Sequence, residues 1–71
     1  MATSTLGTTL RATREAKGWS RATLAKRSGT SEPAVARTEL YGSSPRLTTL
    51  RQWADALEVD ISYLLNEQAT A

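Results

Sequence analysis

The chain has 71 residues, no cysteine and no histidine, and it carries nine basic side chains against seven acidic ones. A chain this short forms one domain, and without cysteine or histidine it offers no disulfide, zinc site, thiol nucleophile or imidazole base. No apolar run approaches the roughly 18 residues that a membrane span needs, and the N-terminus lacks a signal-peptide pattern. We therefore expect one soluble, cytoplasmic domain over residues 1–71, with no cofactor, no metal and no catalytic residues.

The basic and acidic side chains are segregated along the chain. All nine basic residues lie in positions 1–51 with three acidic ones, a local net charge of +6, whereas positions 52–71 carry a net charge of −4. This asymmetry favours a basic working surface and a separate acidic end. A solvated surface with chance clustering would give the same totals.

The first two predicted helices are delimited by caps and glycines. Helix 1 is predicted from the helical spacing of Leu6, Leu10, Thr13 and Lys17. The candidates to cap its N-terminus are Thr3, Ser4 and Thr5, and Gly18 can end it. Ser20 can cap helix 2, residues 21–27, and Gly29 ends it.

Three further helices follow. Ser31 can cap helix 3, about 32–40, with Pro33 in its first turn. Helix 4, about 47–57, has an amphipathic apolar stripe: Leu47, Leu50, Trp53, Ala54 and Leu57. Asp60 can cap a last short helix, and residues 67–71 are expected to fray. With no strand pattern, the prediction is an all-α, compact five-helix bundle ordered over about 4–66.

Helices 2 and 3 meet at Ser28-Gly29-Thr30. Gly29 can adopt the positive φ of a tight interhelical turn, and the methyl group of Ala25 lets the helices approach closely. This predicts a helix-turn-helix unit, whose second helix enters the major groove of DNA.

The sequence resembles the lambda repressor/Cro-like helix-turn-helix family over about residues 6–65. The matching positions span all five helices: Leu6-Gly7, Leu10-Arg11, Arg14, Gly18-Trp19-Ser20, Leu24-Ala25, Gly29-Thr30-Ser31, Val35, Glu39, Pro45, Leu47, Leu50, Ala54, Ala56-Leu57, Val59 and Leu64-Leu65. Thr13, Ser28 and Thr38 stand where the family has large aliphatic side chains, and the family's glycine at Tyr41 comes one residue later, at Gly42. Trp19 and Trp53 are candidates to restore the lost core volume.

The resemblance implies DNA-reading residues at the start of helix 3. The residues expected to face the bases are Glu32, Pro33, Ala36 and Arg37. Arg37 can bind guanine O6 and N7, Glu32 can accept from cytosine N4, and Pro33 or Ala36 can contact a thymine methyl. Glu32 could instead only stabilise the helix N-terminus, and Arg37 could be solvated or bind a phosphate.

Phosphate contacts are expected from the two helix N-termini and from the loop after helix 3. The residues are Ser20, Arg21, Thr30, Ser31, Ser43, Ser44 and Arg46. Lys26 and Arg27 remain ambiguous. The family positions of Arg14 and Glu39 imply a structural ion pair, the alternative for Arg14 being a phosphate contact.

The C-terminal end has more apolar surface than a short helix can hide. We expect Val59, Ile61, Tyr63, Leu64 and Leu65 to form a two-fold dimer contact, although Val59 and Leu64 could simply close the core. The predicted function is a sequence-specific transcriptional regulator, a repressor, that binds double-stranded DNA as a homodimer on an inverted repeat. The alternative is an antitoxin-like or adaptor module with a protein partner.

Overall fold

The computed structural model describes residues 5–65, and this range is a bundle of five helices without strands. The helices are α1 (Thr5–Ala16), α2 (Arg21–Ser28), α3 (Glu32–Tyr41), α4 (Leu47–Leu57) and α5 (Ile61–Leu65). The all-α prediction is confirmed, but α2 and α3 each end one residue later than expected. Two cap candidates, Thr3 and Ser4, and the tail predicted to fray lie outside the described residues.

Serine caps and left-handed glycines set the bounds of α2 and α3. The Ser20 and Ser31 hydroxyls accept from the backbone N–H groups of Thr23 and Ala34, at 3.0 and 3.2 Å. Gly29 has a φ of 74° and Gly42 a φ of 69°, a backbone conformation that glycine adopts without steric cost. These four residues therefore fix both ends of α2 and both ends of α3.

The core lies where α1, α2 and α3 meet α4 and α5. α1 packs on α3 and α5, α2 packs on α3 and α4, and α4 packs on α5. The large side chains that are fully buried come from all five helices: Leu10, Leu24, Val35, Trp53, Leu57 and Leu64. Trp53 is the largest of them, and the half-buried Trp19 packs against the same cluster.

Two of the polar residues at the family's aliphatic positions, Thr13 and Ser28, have a carbonyl of their own helix within hydrogen-bond distance. Thr13 Oγ1 donates to the Thr9 carbonyl at 2.7 Å, and Ser28 Oγ can donate to the Ala25 carbonyl at 3.3 Å. Such bonds to the preceding turn of the helix remove the penalty of an unpaired buried hydroxyl.

Gly7 allows α1 to lie directly on α3. A Cβ atom built at Gly7 would collide with the carbonyl oxygen of Thr38. The close approach of the two helices therefore depends on the missing side chain, a packing role that the spacing of apolar residues did not reveal.

Glu58 ends α4 in a conformation that favours glycine. Its φ is 61° and its ψ is 42°, and its backbone N–H closes the last turn onto the carbonyls of Ala54 and Asp55. Among the described residues it alone has a positive φ without being glycine. A left-handed residue with a Cβ is strained by roughly 1–2 kcal/mol.

Candidate nucleic-acid interface

The residues predicted to read bases share one face of α3. Glu32, Pro33 and Arg37 are exposed and Ala36 is half-exposed, whereas Val35 and Thr38 on the opposite face are buried. One side of α3 thus packs against the core, and the opposite side is open to solvent over the first two turns of the helix. The Arg37 side chain has no ion-pair partner within residues 5–65.

The loop after α3 lies beside Arg37. Arg37, Ser43, Ser44 and Arg46 line one open cleft of about 300 Å³ between α3, the loop and the start of α4. Both serines and Arg46 are exposed. The structure therefore brings together one predicted base-reading residue and three predicted phosphate-binding residues.

The N-terminus of α2 carries Ser20 and Arg21. Ser20 is exposed, and its Oγ lies 3.0 Å from Thr23 Oγ1 as well as from the capped Thr23 N–H. Arg21 is 33% exposed, and its Nε donates to Glu39 Oε1 at 3.3 Å. Arg21 is therefore attached to the carboxylate of another helix, an interaction the sequence reasoning missed.

The contacts of Thr30 lie inside the protein, which argues against its predicted phosphate-binding role. Its hydroxyl accepts from Trp53 Nε1 at 3.0 Å and lies 2.8 Å from Ser28 Oγ. The one proton of the Ser28 hydroxyl can go to Thr30 or to the Ala25 carbonyl, so either hydroxyl can donate in the Ser28–Thr30 bond. The Thr30 backbone N–H donates to the same carbonyl. The N–H and the hydroxyl of Thr30 thus both have partners inside the protein.

The Ser31 hydroxyl is exposed and is able to donate a hydrogen bond. Its Oγ is an acceptor in the cap of α3, and the residue is exposed. A hydroxyl that accepts one bond can still donate its own proton, so Ser31 can bind an anion at the N-terminus of α3.

Arg14 and Glu39 are joined by two hydrogen bonds. Arg14 Nε donates to Glu39 Oε2 at 2.8 Å and Arg14 Nη2 to Oε1 at 2.9 Å, while Nη1 donates to the Trp19 carbonyl at 2.7 Å. Their side chains are 7% and 0% exposed. The hydrogen bonds to Glu39 raise the pKa of the Arg14 guanidinium above its usual value, against the opposing effect of burial. Glu39 therefore links α1, α2 and α3 through Arg14 and Arg21.

The C-terminal apolar residues divide into two groups. Leu64, which was predicted to contact a second copy, has 0% exposure in the core of the single chain, so it cannot form a dimer surface. Val59, Ile61 and Leu65 pack against the core but are only partly buried, and Tyr63 is 49% exposed. Helical spacing alone did not show which side of so short a helix faces inward.

The ambiguous cations differ in their surroundings. Lys26 is exposed on α2. The Arg27 guanidinium lies 4.8 Å from the centre of the Trp19 ring, and Lys17 Nζ lies 5.5 Å from the same ring, both within cation–π range. Arg27 thus covers an aromatic ring, a role that its charge alone could not indicate.

The profile of the helix-turn-helix family matches residues 10–64, which include all of α2, α3 and α4. The chain therefore belongs to this family, that of the lambda repressor/Cro-like helix-turn-helix regulators. It is accordingly a DNA-binding transcriptional regulator in the general sense that defines the family. Comparisons with curated proteins and with solved structures gave no match. Over residues 5–65, none of the helices has the length and apolar character needed to cross a membrane.

Proposed function

We propose that the protein is a sequence-specific repressor that binds an inverted-repeat operator as a homodimer, with α3 in the major groove. The observation that carries the proposal is the open face of α3, flanked by the capped N-terminus of α2 and by the loop after α3. A chain that binds DNA works in the compartment that holds the DNA, so a cytoplasmic location is part of the proposal. A repressor can act simply by occupying its operator.

Base reading is assigned first to Arg37. Its exposed guanidinium can donate two hydrogen bonds to guanine O6 and N7, an interaction that discriminates by about 1–3 kcal/mol. Glu32 can accept from cytosine N4, and Pro33 and Ala36 offer apolar contacts to a thymine methyl. Only base-edge contacts of this kind carry sequence information.

Backbone binding is assigned to the donors around that face. Ser31 lies at the N-terminus of α3, Ser20 and Arg21 lie at that of α2, and Ser43, Ser44 and Arg46 lie in the loop. Arg46 has no ion-pair partner within residues 5–65, so its charge is available to a phosphate. These contacts position the protein and make its affinity salt-dependent.

Dimerisation is assigned to the half-exposed residues Val59, Ile61, Tyr63 and Leu65. A two-fold contact there would keep the acidic C-terminal part away from the phosphates. It would also place two copies of α3 about 34 Å apart, one turn of DNA.

Selection from random-sequence duplexes, followed by footprinting on the selected site, tests the proposal. We expect an inverted repeat with half-sites about 10 base pairs apart, and a dimer on the DNA by sedimentation. Enrichment of no site, together with capture of a protein partner by the immobilised chain, would favour the adaptor or antitoxin-like alternative.

Three variants distinguish a residue that reads bases from a residue that binds the DNA backbone. Arg37→Ala should relax the preference at one base pair, whereas Arg46→Ala should weaken all sequences alike and reduce the salt slope by about 1. Arg11→Ala is the matched control, since it removes one positive charge from α1, where Arg11 pairs with Glu15 at 3.1 Å. If Arg37→Ala leaves the selected site unchanged, Arg37 does not read bases.

A further inference from the structure

The end of α3 places an aromatic side chain where the helix meets the loop. The helix continues through Tyr41 because the stop is Gly42, whose backbone N–H donates to the carbonyls of Arg37 and Thr38. The N–H of Ser43 also donates to the Arg37 carbonyl, at 3.3 Å. The position of Tyr41 is therefore fixed by helical hydrogen bonds and not by a free loop.

Tyr41 follows Arg37 by one turn on the same side of α3. Pro33, Arg37 and Tyr41 are spaced i, i+4 and i+8, so Tyr41 lies about 40° around the helix from Arg37 and about 80° from Pro33. Tyr41 is about 6 Å beyond Arg37 along the helix axis. It is 77% exposed, the most exposed large hydrophobic side chain of the described residues.

Along the chain, Tyr41 lies between residues that are predicted to contact DNA. Arg37 precedes it by one turn, and Ser43, Ser44 and Arg46 follow it and line one cleft with Arg37. The N-terminal residues of a recognition helix contact base edges, whereas its C-terminal end lies further from them. A tyrosine there can reach a sugar and donate its hydroxyl proton to a phosphate oxygen.

We propose that Tyr41 is an additional DNA contact, with its hydroxyl bound to a backbone phosphate and its ring packed on the neighbouring sugar. This inference rests on the proposed function. It assigns a role to the residue at which the chain departs from the family's sequence pattern. Because the hydroxyl is neutral, the contact adds affinity without releasing a counterion, which distinguishes it from the contact of Arg46.

The test compares Tyr41→Phe and Tyr41→Leu with the wild type on the selected duplex. We expect Tyr41→Phe to weaken binding to the selected duplex about tenfold, which is the effect of losing one hydrogen bond to a charged group. Binding to other duplexes should weaken by the same factor. The salt slope should stay at the wild-type value. Tyr41→Leu should weaken binding further because the ring is lost. Thermal unfolding verifies that both variants fold, as expected for so exposed a side chain.

Methylphosphonate substitution identifies the phosphate. Each backbone phosphate near one half-site is replaced in turn by a neutral methylphosphonate. One replacement should weaken the wild type but have a much smaller effect on Tyr41→Phe, because the hydroxyl that used that phosphate is absent. Equal effects on both proteins at every position, or unchanged affinity of both Tyr41 variants, would overturn the inference. Failure of the wild type to bind any duplex would instead overturn the proposed function itself.

Discussion

Replacing Arg14 or Glu39 with methionine tests the ion pair that joins the helices. In Arg14→Met, the fully buried carboxylate of Glu39 keeps one partner, Arg21 Nε at 3.3 Å. In Glu39→Met, the Arg14 guanidinium keeps the Trp19 carbonyl at 2.7 Å and a distant Glu15 carboxylate at 3.9 Å. We expect both variants to be less stable than the wild type.

The expected magnitude follows from the burial of the two side chains. Removing one partner of a buried pair costs about 3–5 kcal/mol, because the other charge stays buried and uncompensated. Arg14→Met should lie near the lower limit, since Arg21 still neutralises Glu39, and Glu39→Met near the upper limit. The double variant should lose much less than the sum, because Arg21 is 33% exposed and can turn to solvent. A domain of this size has only ~4–10 kcal/mol of stability, so these are large effects.

Urea unfolding followed by tryptophan fluorescence measures the three free energies and their coupling. Additive losses in the double variant would refute the account of the pair. A second check uses pH. Because its pKa is raised, Arg14 stabilises the fold at every pH below its usual pKa, and this contribution is lost only as the pH rises through the folded-state value. The deficit of Arg14→Met should thus be the same at about pH 7 and about pH 9.

Three further substitutions test single features of the fold. Thr30→Val should cost about 1–3 kcal/mol of stability in urea unfolding, because the buried Trp53 indole N–H loses its acceptor, while the DNA affinity of the folded protein stays unchanged. A loss of affinity without a loss of stability would restore Thr30 as a phosphate contact. Glu58→Gly should relieve about 1 kcal/mol of backbone strain and so raise the melting temperature by about 4–8 °C in a circular dichroism scan. The variant also loses the exposed ion pair with Lys17, but such a pair contributes little to stability. Gly7→Ala should lower the free energy of unfolding by about 1–3 kcal/mol, because the new methyl group forces α1 away from the Thr38 carbonyl; an unchanged free energy would show that the two helices can shift freely.

The helices and their order were predictable because their signals are local. Ser20 and Ser31 cap the helices they precede, and Gly29 provides the left-handed turn between them. The amphipathic stripe of α4 likewise gave its bounds correctly, Leu47–Leu57. Each of these features depends on residues within a turn or two of one another, which is the range that sequence spacing describes.

The features that sequence reasoning missed depend on partners far along the chain. Thr30 points inward because Trp53, 23 residues later, offers it an indole N–H. Arg21 reaches a carboxylate 18 residues away, on α3. Leu64 was expected at the dimer contact, with the core as the alternative, because one turn of helix has too few residues to distinguish its faces. Such contacts follow from tertiary packing, which spacing does not encode.

Binding to duplexes that contain 7-deazaguanine tests most directly whether α3 reads the major groove through Arg37. The analogue lacks the N7 acceptor that faces the major groove and leaves the minor-groove edge unchanged. We predict that substitution at one guanine of each half-site weakens the wild type about tenfold and leaves the affinity of Arg37→Ala unaltered. Full wild-type affinity with every guanine replaced, or an equal loss in both proteins at each position, would contradict the account.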